Sequence, residues 1–124
     1  MSVDPIGPDL RAFIARYIDS VAQLEALLLL RNNPGETWTA SAIAARLYTS
    51  ETETNFILER LHRDGLLGRN GHAYRYECAV ELQVTVDRLA EAYRLQLVGI
   101  TNLIHAKPRR IREFADAFKL KKDT

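Results

Sequence analysis

Residues 50–65 carry the signals for one amphipathic helix whose start and end are both specified. Ser50 and Glu53 have the S-x-x-E form of a capping box, in which the two side chains satisfy backbone N–H groups at a helix start. Apolar side chains then recur at helical spacing, and Gly65 stands where a helix end favours left-handed backbone. The sequence therefore predicts a helix here, and the neighbouring elements must be arranged around it.

Two short β-strands are predicted directly after this helix, over 66–69 and 72–76. Asn70 and Gly71 stand between them. An Asn-Gly pair favours a type I′ turn, because both central residues of that turn need a positive φ. The sequence therefore predicts an antiparallel hairpin with Asn70-Gly71 as its turn.

A second short helix is predicted upstream, over 39–48, and residues 36–38 are predicted to be a third strand that pairs with the hairpin. The order helix, tight turn, helix, hairpin resembles a winged helix-turn-helix domain. The phrase from Leu58 to Leu67 is similar to the end of its recognition helix. The resemblance implies that the second helix lies in the DNA major groove and that the hairpin, called the wing, contacts the backbone or minor groove. Winged helices also bind proteins, so the fold leaves both functions open.

Helices are also predicted on both sides of the winged helix. Apolar residues at helical spacing predict a short helix over 9–19 and one long helix over 78–106. The predicted fold is mainly α with a small β-wing: a winged helix-turn-helix with an additional N-terminal helix and long C-terminal helices. We predict a single domain over 1–124, made of a flexible arm (1–8), an N-terminal helix (9–19), a winged-helix core (20–77), a long helix (78–106), a short helix (109–118) and a frayed tail (119–124).

This layout is similar to that of MarR-like regulators, which dimerise through their terminal helices. The wing sequence from Arg69 to His72 departs from the acidic residue and arginines that are usual there. Residues 114–118, before a basic end, resemble small bacterial winged-helix proteins, which implies a bacterial source but no particular activity. The apolar stripes on 10–18 and 80–105 exceed what the winged-helix core alone covers, so we expect a homodimer through these helices.

Composition and motif content argue against several classes of protein. The net charge is +1, and 47% hydrophobic with 27% charged residues is ordinary for a globular domain. Cys78 is the single cysteine, which leaves no internal disulfide or cysteine zinc cluster and fits a reducing cytoplasm. The three histidines are scattered and no phosphate-binding glycine loop occurs, so we predict no enzyme, no metal and no cofactor. The longest apolar run, 26–30, is too short for a membrane span.

Basic charge is concentrated near the end of the chain. Residues 107–122 carry seven basic and two acidic side chains, whereas residues 1–106 are net acidic. Neutralisation of phosphates dominates non-specific DNA affinity, so this segment is the best electrostatic signal for a nucleic-acid partner. The alternative is a solvated amphipathic helix that keeps the protein soluble.

The leading prediction is a dimeric DNA-binding transcriptional regulator. Thr52, Asn55 and Arg60 have side chains suited to base edges, while the wing arginines and the basic end supply phosphate contacts. The candidate nucleic-acid-binding residues are Thr52, Asn55, Arg60, Arg63, Arg69, Arg75, Arg109 and Arg110.

The acidic character of the predicted recognition helix supports a second interpretation. Residues 50–65 carry four acidic side chains and two arginines, and acidic groups repel phosphates. An outward Phe56 on such a helix suits burial against another protein. The alternative function is therefore a protein-interaction module with Phe56 and Glu59 as its contact residues.

Overall fold

The structure is a computed structural model that describes residues 6–107. In chain order its elements are α1 (Pro8–Tyr17), α2 (Val21–Arg31), β1 (Trp38–Thr39), α3 (Ala40–Leu47), α4 (Glu51–Arg63), β2 (Leu67–Asn70), β3 (Ala73–Tyr76), α5 (Val80–Leu95) and a further helix, α6, over residues 97–107. The predicted architecture, mainly helical with a small antiparallel wing, is confirmed. Within this range no helix is long and apolar enough to cross a membrane.

Helix α4 begins and ends where its local signals predict. The Ser50 hydroxyl accepts a hydrogen bond from the Glu53 backbone N–H at 3.0 Å. Gly65 has a φ of +83°. The N–H groups of Gly65 and Leu66 return to the carbonyls of His62 and Leu61, at 3.1 and 3.0 Å. These two bonds form a Schellman motif, which satisfies carbonyls that the helix end leaves without a partner.

Helix α2 lies at the centre of the core. Leu24, Leu27 and Leu30 on this helix are fully buried. Helix α4 packs on both α2 and α3. The side chains that it buries there are Thr54, Ile57, Leu58 and Leu61. Because α4 is held along this one side, its opposite side projects from the fold.

The three strands form one antiparallel sheet in the order β1-β3-β2. Strand β1 pairs Trp38 with Tyr74, as expected for a third strand beside the hairpin, but it covers Trp38–Thr39 and not the predicted residues 36–38. Thr39 also begins α3, because its hydroxyl accepts a hydrogen bond from the Ala42 N–H at 3.2 Å. The short strand therefore fixes the wing directly to the start of the helix-turn-helix pair.

The hairpin turn lies one residue later than predicted. Asn70 pairs with Ala73, so the two turn residues are Gly71 and His72. The φ of Gly71 is +64°, and Tyr48 is the one non-glycine residue of 6–107 with a positive φ. A glycine at the first central position with positive φ fits a type II′ turn. The predicted Asn70-Gly71 type I′ turn is therefore wrong.

Cross-strand packing explains this shift. In the observed register Leu67 lies opposite Tyr76, and Arg69 lies opposite Tyr74. The guanidinium carbon of Arg69 lies 5.6 Å from the centroid of the Tyr74 ring. Such cross-strand pairs contribute roughly 0.2–1 kcal/mol each, which is enough to outweigh the local preference of an Asn-Gly pair.

The predicted flexible arm over 1–8 is wrong for its last three residues. Ile6 is buried in the core, and helix α1 begins at Pro8, where a proline suits the first helical position. Ile6 is buried because Gly99 on α6 approaches it closely: a Cβ on Gly99 would lie 3.0 Å from Ile6 Cδ1. Residues 1–5 of the predicted arm lie outside the described residues.

The single long helix predicted over 78–106 is also wrong. It is broken at Gln96, whose φ of −129° and ψ of 47° separate α5 from α6. The break lets α6 lie along α1, with Gly99 near Ile6 and Lys107 bonded to the carbonyl of Ile18. The predicted helix over 109–118, the predicted frayed tail over 119–124, and Arg109 and Arg110 lie outside the described residues.

The break changes which apolar residues stay uncovered. Ile100 and Ile104 are fully buried within one chain, as are the apolar positions of α1 at 10, 13 and 14. The apolar stripes of 10–18 and 80–105, on which the predicted dimer is based, therefore pack largely against each other within one chain. Leu95, Leu97 and Val98, at the break itself, remain exposed.

Substitution in the turn tests its observed register. Gly71→Ala should lower the free energy of unfolding by about 1 kcal/mol, because an L side chain is strained at positive φ. A Cβ at Gly71 meets no atom within 4 Å, so the cost is one of backbone conformation alone. Asn70→Ala, the matched control, should cost less than about 0.5 kcal/mol. Urea denaturation measures the free energy of unfolding of both variants. A larger loss of stability in Asn70→Ala than in Gly71→Ala would support the type I′ turn instead of the observed turn.

Candidate nucleic-acid interface

The outward side of α4 is a stripe of four exposed residues. With about 3.6 residues per turn, positions 52, 56, 59 and 63 fall on one line opposite the buried side. These residues, called the outward stripe below, are Thr52, Phe56, Glu59 and Arg63, and all four are exposed. The Phe56 side chain is 69% exposed at the middle of the stripe. Three of its members are polar, so the stripe offers hydrogen-bonding groups around one aromatic ring.

One flank of α4 is held to the junction of α1 and α2 by ion pairs. Arg60 donates from Nη1 to Asp19 Oδ2 and from Nε to Asp64 Oδ2, both at 3.0 Å. The hydrogen bond with Asp64 and the charge of Asp19 raise the pKa of the Arg60 guanidinium above its ordinary value. Arg60 is a predicted base-reading residue, but the structure directs it to these carboxylates beside the outward stripe.

The other flank of α4 forms a polar groove with the wing. The groove has a volume of about 260 Å³. Its lining residues are Thr39, Ala40, Ser41, Glu51, Asn55, Glu59, Arg69, His72 and Tyr74. The predicted residues Asn55 and Arg69 are therefore brought together, with Glu51 and Glu59 on the same groove. The groove therefore presents hydrogen-bond donors and acceptors, and side chains of positive and negative charge, close to one another.

The two wing arginines are separated by the alternation of the strands. Arg69 lies opposite Tyr74, while Arg75 lies opposite Gly68, and successive residues of a strand point to opposite faces. Arg69 faces the groove, where its Nε donates to the Gly71 carbonyl at 3.0 Å. Arg75 lies on the other face, 3.5 Å from the Glu77 carboxylate. The structure therefore brings one of the two arginines to α4.

Lys107 has a structural role that the sequence analysis did not identify. Its ammonium is buried and donates to the carbonyls of Ile14 and Ile18, at 3.2 and 3.0 Å, and to Asp19 Oδ1 at 2.8 Å. A cation here also suits the negative end of the α1 helix dipole. Assigning Lys107 to a free basic tail is therefore wrong. The available signal was its spacing, because it follows Ile100 and Ile104 on the same stripe of α6.

Asp19 connects the terminal helices to α4. One of its carboxylate oxygens accepts from Lys107 on α6, and the other accepts from Arg60 on α4. Arg60 in turn bonds to Asp64, where α4 ends. This chain of alternating charges runs from the end of α6 to the end of α4.

Tyr48, in the turn between α3 and α4, is a second feature that sequence reasoning missed. It has left-handed backbone, with φ 55° and ψ 42°, and its side chain is 97% exposed. That conformation costs about 1 kcal/mol for a residue with a side chain. The tight geometry of the turn requires it, since the N–H groups of Tyr48 and Thr49 both return to the Ala44 carbonyl. The exposed phenol therefore stands two residues before the Ser50 cap of α4.

The thiol of Cys78 and the imidazole ring of His62 each contact a backbone carbonyl within the fold. Burial raises the pKa of the Cys78 thiol, which keeps it protonated and poorly nucleophilic. The His62 ring is held by the Leu67 carbonyl, 2.9 Å from Nδ1. Over residues 6–107 no three His, Cys, Asp or Glu side chains lie close enough to hold a metal ion.

Comparison with known proteins identifies the fold. No family model and no curated protein matches the sequence. The structure is similar to the transcriptional regulator MosR of M. tuberculosis, with a TM-score of 0.54 and 21% identity over 95% of this chain and 87% of that chain. MosR in complex with DNA gives a TM-score of 0.52 and 21% identity over 95% and 89% of the two chains.

A third solved structure has the same fold. YusO of Bacillus subtilis gives a TM-score of 0.52 and 15% identity over 96% of this chain and 86% of that chain. At such identities the likeness concerns the fold alone. It extends over the flanking helices as well as the winged helix, so the predicted layout, a winged helix between terminal helices, is confirmed at the level of fold.

Removal of the buried ammonium tests its structural role. In Lys107→Met the apolar stem is largely kept, but the buried carbonyls of Ile14 and Ile18 lose their charged donor. We expect the free energy of unfolding, measured in urea, to fall by about 2 kcal/mol.

An exposed ion pair provides the control for this measurement. Arg94 lies 2.7 Å from Glu91 on α5, and both side chains are more than half exposed. Arg94→Met should change the free energy of unfolding by less than about 0.5 kcal/mol, because exposed pairs contribute little. Equal effects of Lys107→Met and Arg94→Met would contradict a structural role for the Lys107 ammonium.

Proposed function

We propose that this protein is a dimeric winged-helix DNA-binding regulator of transcription, acting in the bacterial cytoplasm. The observation that carries the proposal is the outward stripe of α4, which stands clear of the fold beside the wing. In winged helices that bind DNA, the corresponding helix enters the major groove and the wing contacts the backbone or minor groove. MosR, which has the same fold, has been solved in complex with DNA.

The local charges of α4 are compatible with this function, although its sequence is acidic. Glu53 lies off the outward stripe, where its carboxylate accepts from the Thr49 hydroxyl at 2.8 Å. Asp64 is neutralised by Arg60. The outward stripe itself carries one acidic and one basic side chain, Glu59 and Arg63. A stripe without net charge neither attracts nor repels phosphates strongly, so backbone affinity must come from elsewhere.

We assign most of the phosphate contacts to the wing and to the basic end of the chain. Arg69 reaches the groove beside α4, and Arg75 is exposed on the other face of the wing. Arg109 and Arg110 belong to the basic segment after Lys107. Asn55, Thr52 and Arg63 then serve as base-edge or backbone contacts from α4.

The salt dependence of DNA binding tests this assignment. Each phosphate contact contributes about 0.9 to the slope of log K against log salt concentration. Changing Arg109 and Arg110 together to Ala should weaken binding to all duplexes and reduce the slope by up to about two phosphate contacts. Arg69→Ala should reduce it by about one contact.

Arg88→Ala is the matched control, because Arg88 pairs with Asp9 on α1. This variant should retain the full salt slope of the unchanged protein. Titrations by fluorescence anisotropy at several salt concentrations measure all four proteins. The proposal of DNA binding is overturned if the unchanged protein has no salt-sensitive affinity for any duplex at low ionic strength.

A protein-interaction module is the second candidate, and the exposure of Phe56 favours it. Phe56 and Glu59 would then contact the partner. The groove that Glu59 lines, which does not include Phe56, is lined chiefly by polar residues, whereas the centre of a protein interface is usually apolar. This difference is why DNA binding is the leading proposal.

The proposed dimer uses the exposed apolar residues at the break between α5 and α6. Leu95, Leu97 and Val98 are each more than half exposed, and a second copy of the chain would bury them. Sedimentation at micromolar concentration should give the mass of two chains. The double variant Leu97→Glu, Val98→Glu should reduce the sedimentation mass to that of one chain, because the two new carboxylates would be buried in the interface.

Val84→Glu is the control for this interface. Val84 is 68% exposed on α5 and lies eleven residues before Leu95, a distance of about 16 Å along a helix. It should leave the dimer intact. A single-chain mass for the unchanged protein would contradict the dimer.

A further inference from the structure

Phe56 is the one large apolar residue of the outward stripe, and the fold does not require it. The side chains that α4 buries are Thr54, Ile57, Leu58 and Leu61. Phe56 projects from the other side with 69% of its surface exposed. Full burial of a phenylalanine is favourable by roughly 2 kcal/mol, so this ring is suited to a contact that forms only in a complex.

The neighbours of Phe56 leave it free to make such a contact. Arg60, one turn further along the helix, is held at the flank by Asp19 and Asp64. Thr52 and Glu59 lie before and after the ring on the outward stripe, and the ring is 69% exposed beside them. The aromatic ring is therefore the broadest surface that α4 presents outward.

A ring at this position of α4 is suited to contact one particular group in the major groove of DNA. In the major groove the C5-methyl group of thymine is the apolar group among the base edges, and apolar side chains recognise it. An apolar ring gains little against the other base edges, whose donors and acceptors it would desolvate. We propose that Phe56 is a specificity-determining residue that contacts the C5-methyl group of a thymine in the major groove; this inference rests on the proposed DNA-binding function.

The composition of the outward stripe favours DNA over a protein at this position. A stable protein interface buries roughly 800 Å² on each partner around an apolar centre. The exposed residues of α4 nearest to Phe56 along the helix surface are Thr52, Asn55, Glu59 and Arg63, and all four are polar. One ring in a polar surface matches a single methyl group better than an apolar interface. Glu59 is also an acceptor suited to the N4 amino group of a cytosine.

A methyl-deletion experiment tests the proposal. A preferred duplex is first selected from a random library with the unchanged full-length protein. Each thymine is then replaced singly by deoxyuridine, which lacks only the C5-methyl group. We expect one thymine in each half-site at which this replacement weakens binding about fourfold, the equivalent of one buried methyl group.

Phe56→Ala distinguishes contact by the ring from other effects of the methyl group. This variant should bind the thymine and deoxyuridine duplexes equally well, and its urea midpoint should match that of the unchanged protein because Phe56 lies outside the core. Val84→Ala, which removes an exposed apolar side chain from α5, should retain the fourfold difference.

The possible outcomes separate this inference from the proposed function. If a duplex is selected but no thymine shows methyl dependence, or if Phe56→Ala retains that dependence, the inference is overturned and DNA binding stands. If Phe56→Ala leaves DNA binding unchanged in every respect, the ring makes no contact with the DNA and the inference is likewise overturned. If no duplex is selected at all, both the inference and the proposed function are overturned.

Discussion

The burial of one ammonium group determines how the terminal helices lie on the winged helix. Lys107 Nζ donates to two carbonyls near the end of α1 and to the Asp19 carboxylate. A buried charge without partners is far more costly than a surface contact is favourable, so α6 must stay where these acceptors are. Its alignment along α1 follows from this requirement. Ile100 and Ile104 are buried within one chain in this arrangement, which the break at Gln96 permits.

The same carboxylate determines what α4 can offer to a partner. Because Asp19 accepts from both Lys107 and Arg60, it holds Arg60 at the flank of the helix. Arg60, which the sequence predicts to be a base-reading residue, is thereby directed away from the outward stripe. Phe56 becomes the main outward feature for that reason. A contact between the terminal helices and the winged helix thus shapes the candidate site without belonging to it.

The sequence predicts elements whose signals are local and misses features that depend on distant partners. Helix α4 was predicted correctly at both ends, because Ser50 and Gly65 act within a few residues of themselves. The hairpin was predicted but its turn was one residue early, since pairing across the strands sets the register. Nothing about Gln96 itself indicates a helix break. The ion pair between Arg60 and Asp19 and the burial of Lys107 require residues more than forty positions away.

The charges of the outward stripe also limit what it can contribute to affinity for DNA. Glu59 and Arg63 offset each other in charge, so long-range attraction to phosphates is weak at the very surface that would meet the bases. Attraction then depends on Arg69 and the other basic groups around α4, whose effect salt screens. Contacts of Phe56 with a base edge act only at van der Waals distance and are insensitive to salt. In the proposed complex with DNA, affinity and sequence preference are therefore carried by different residues, and each can change without the other.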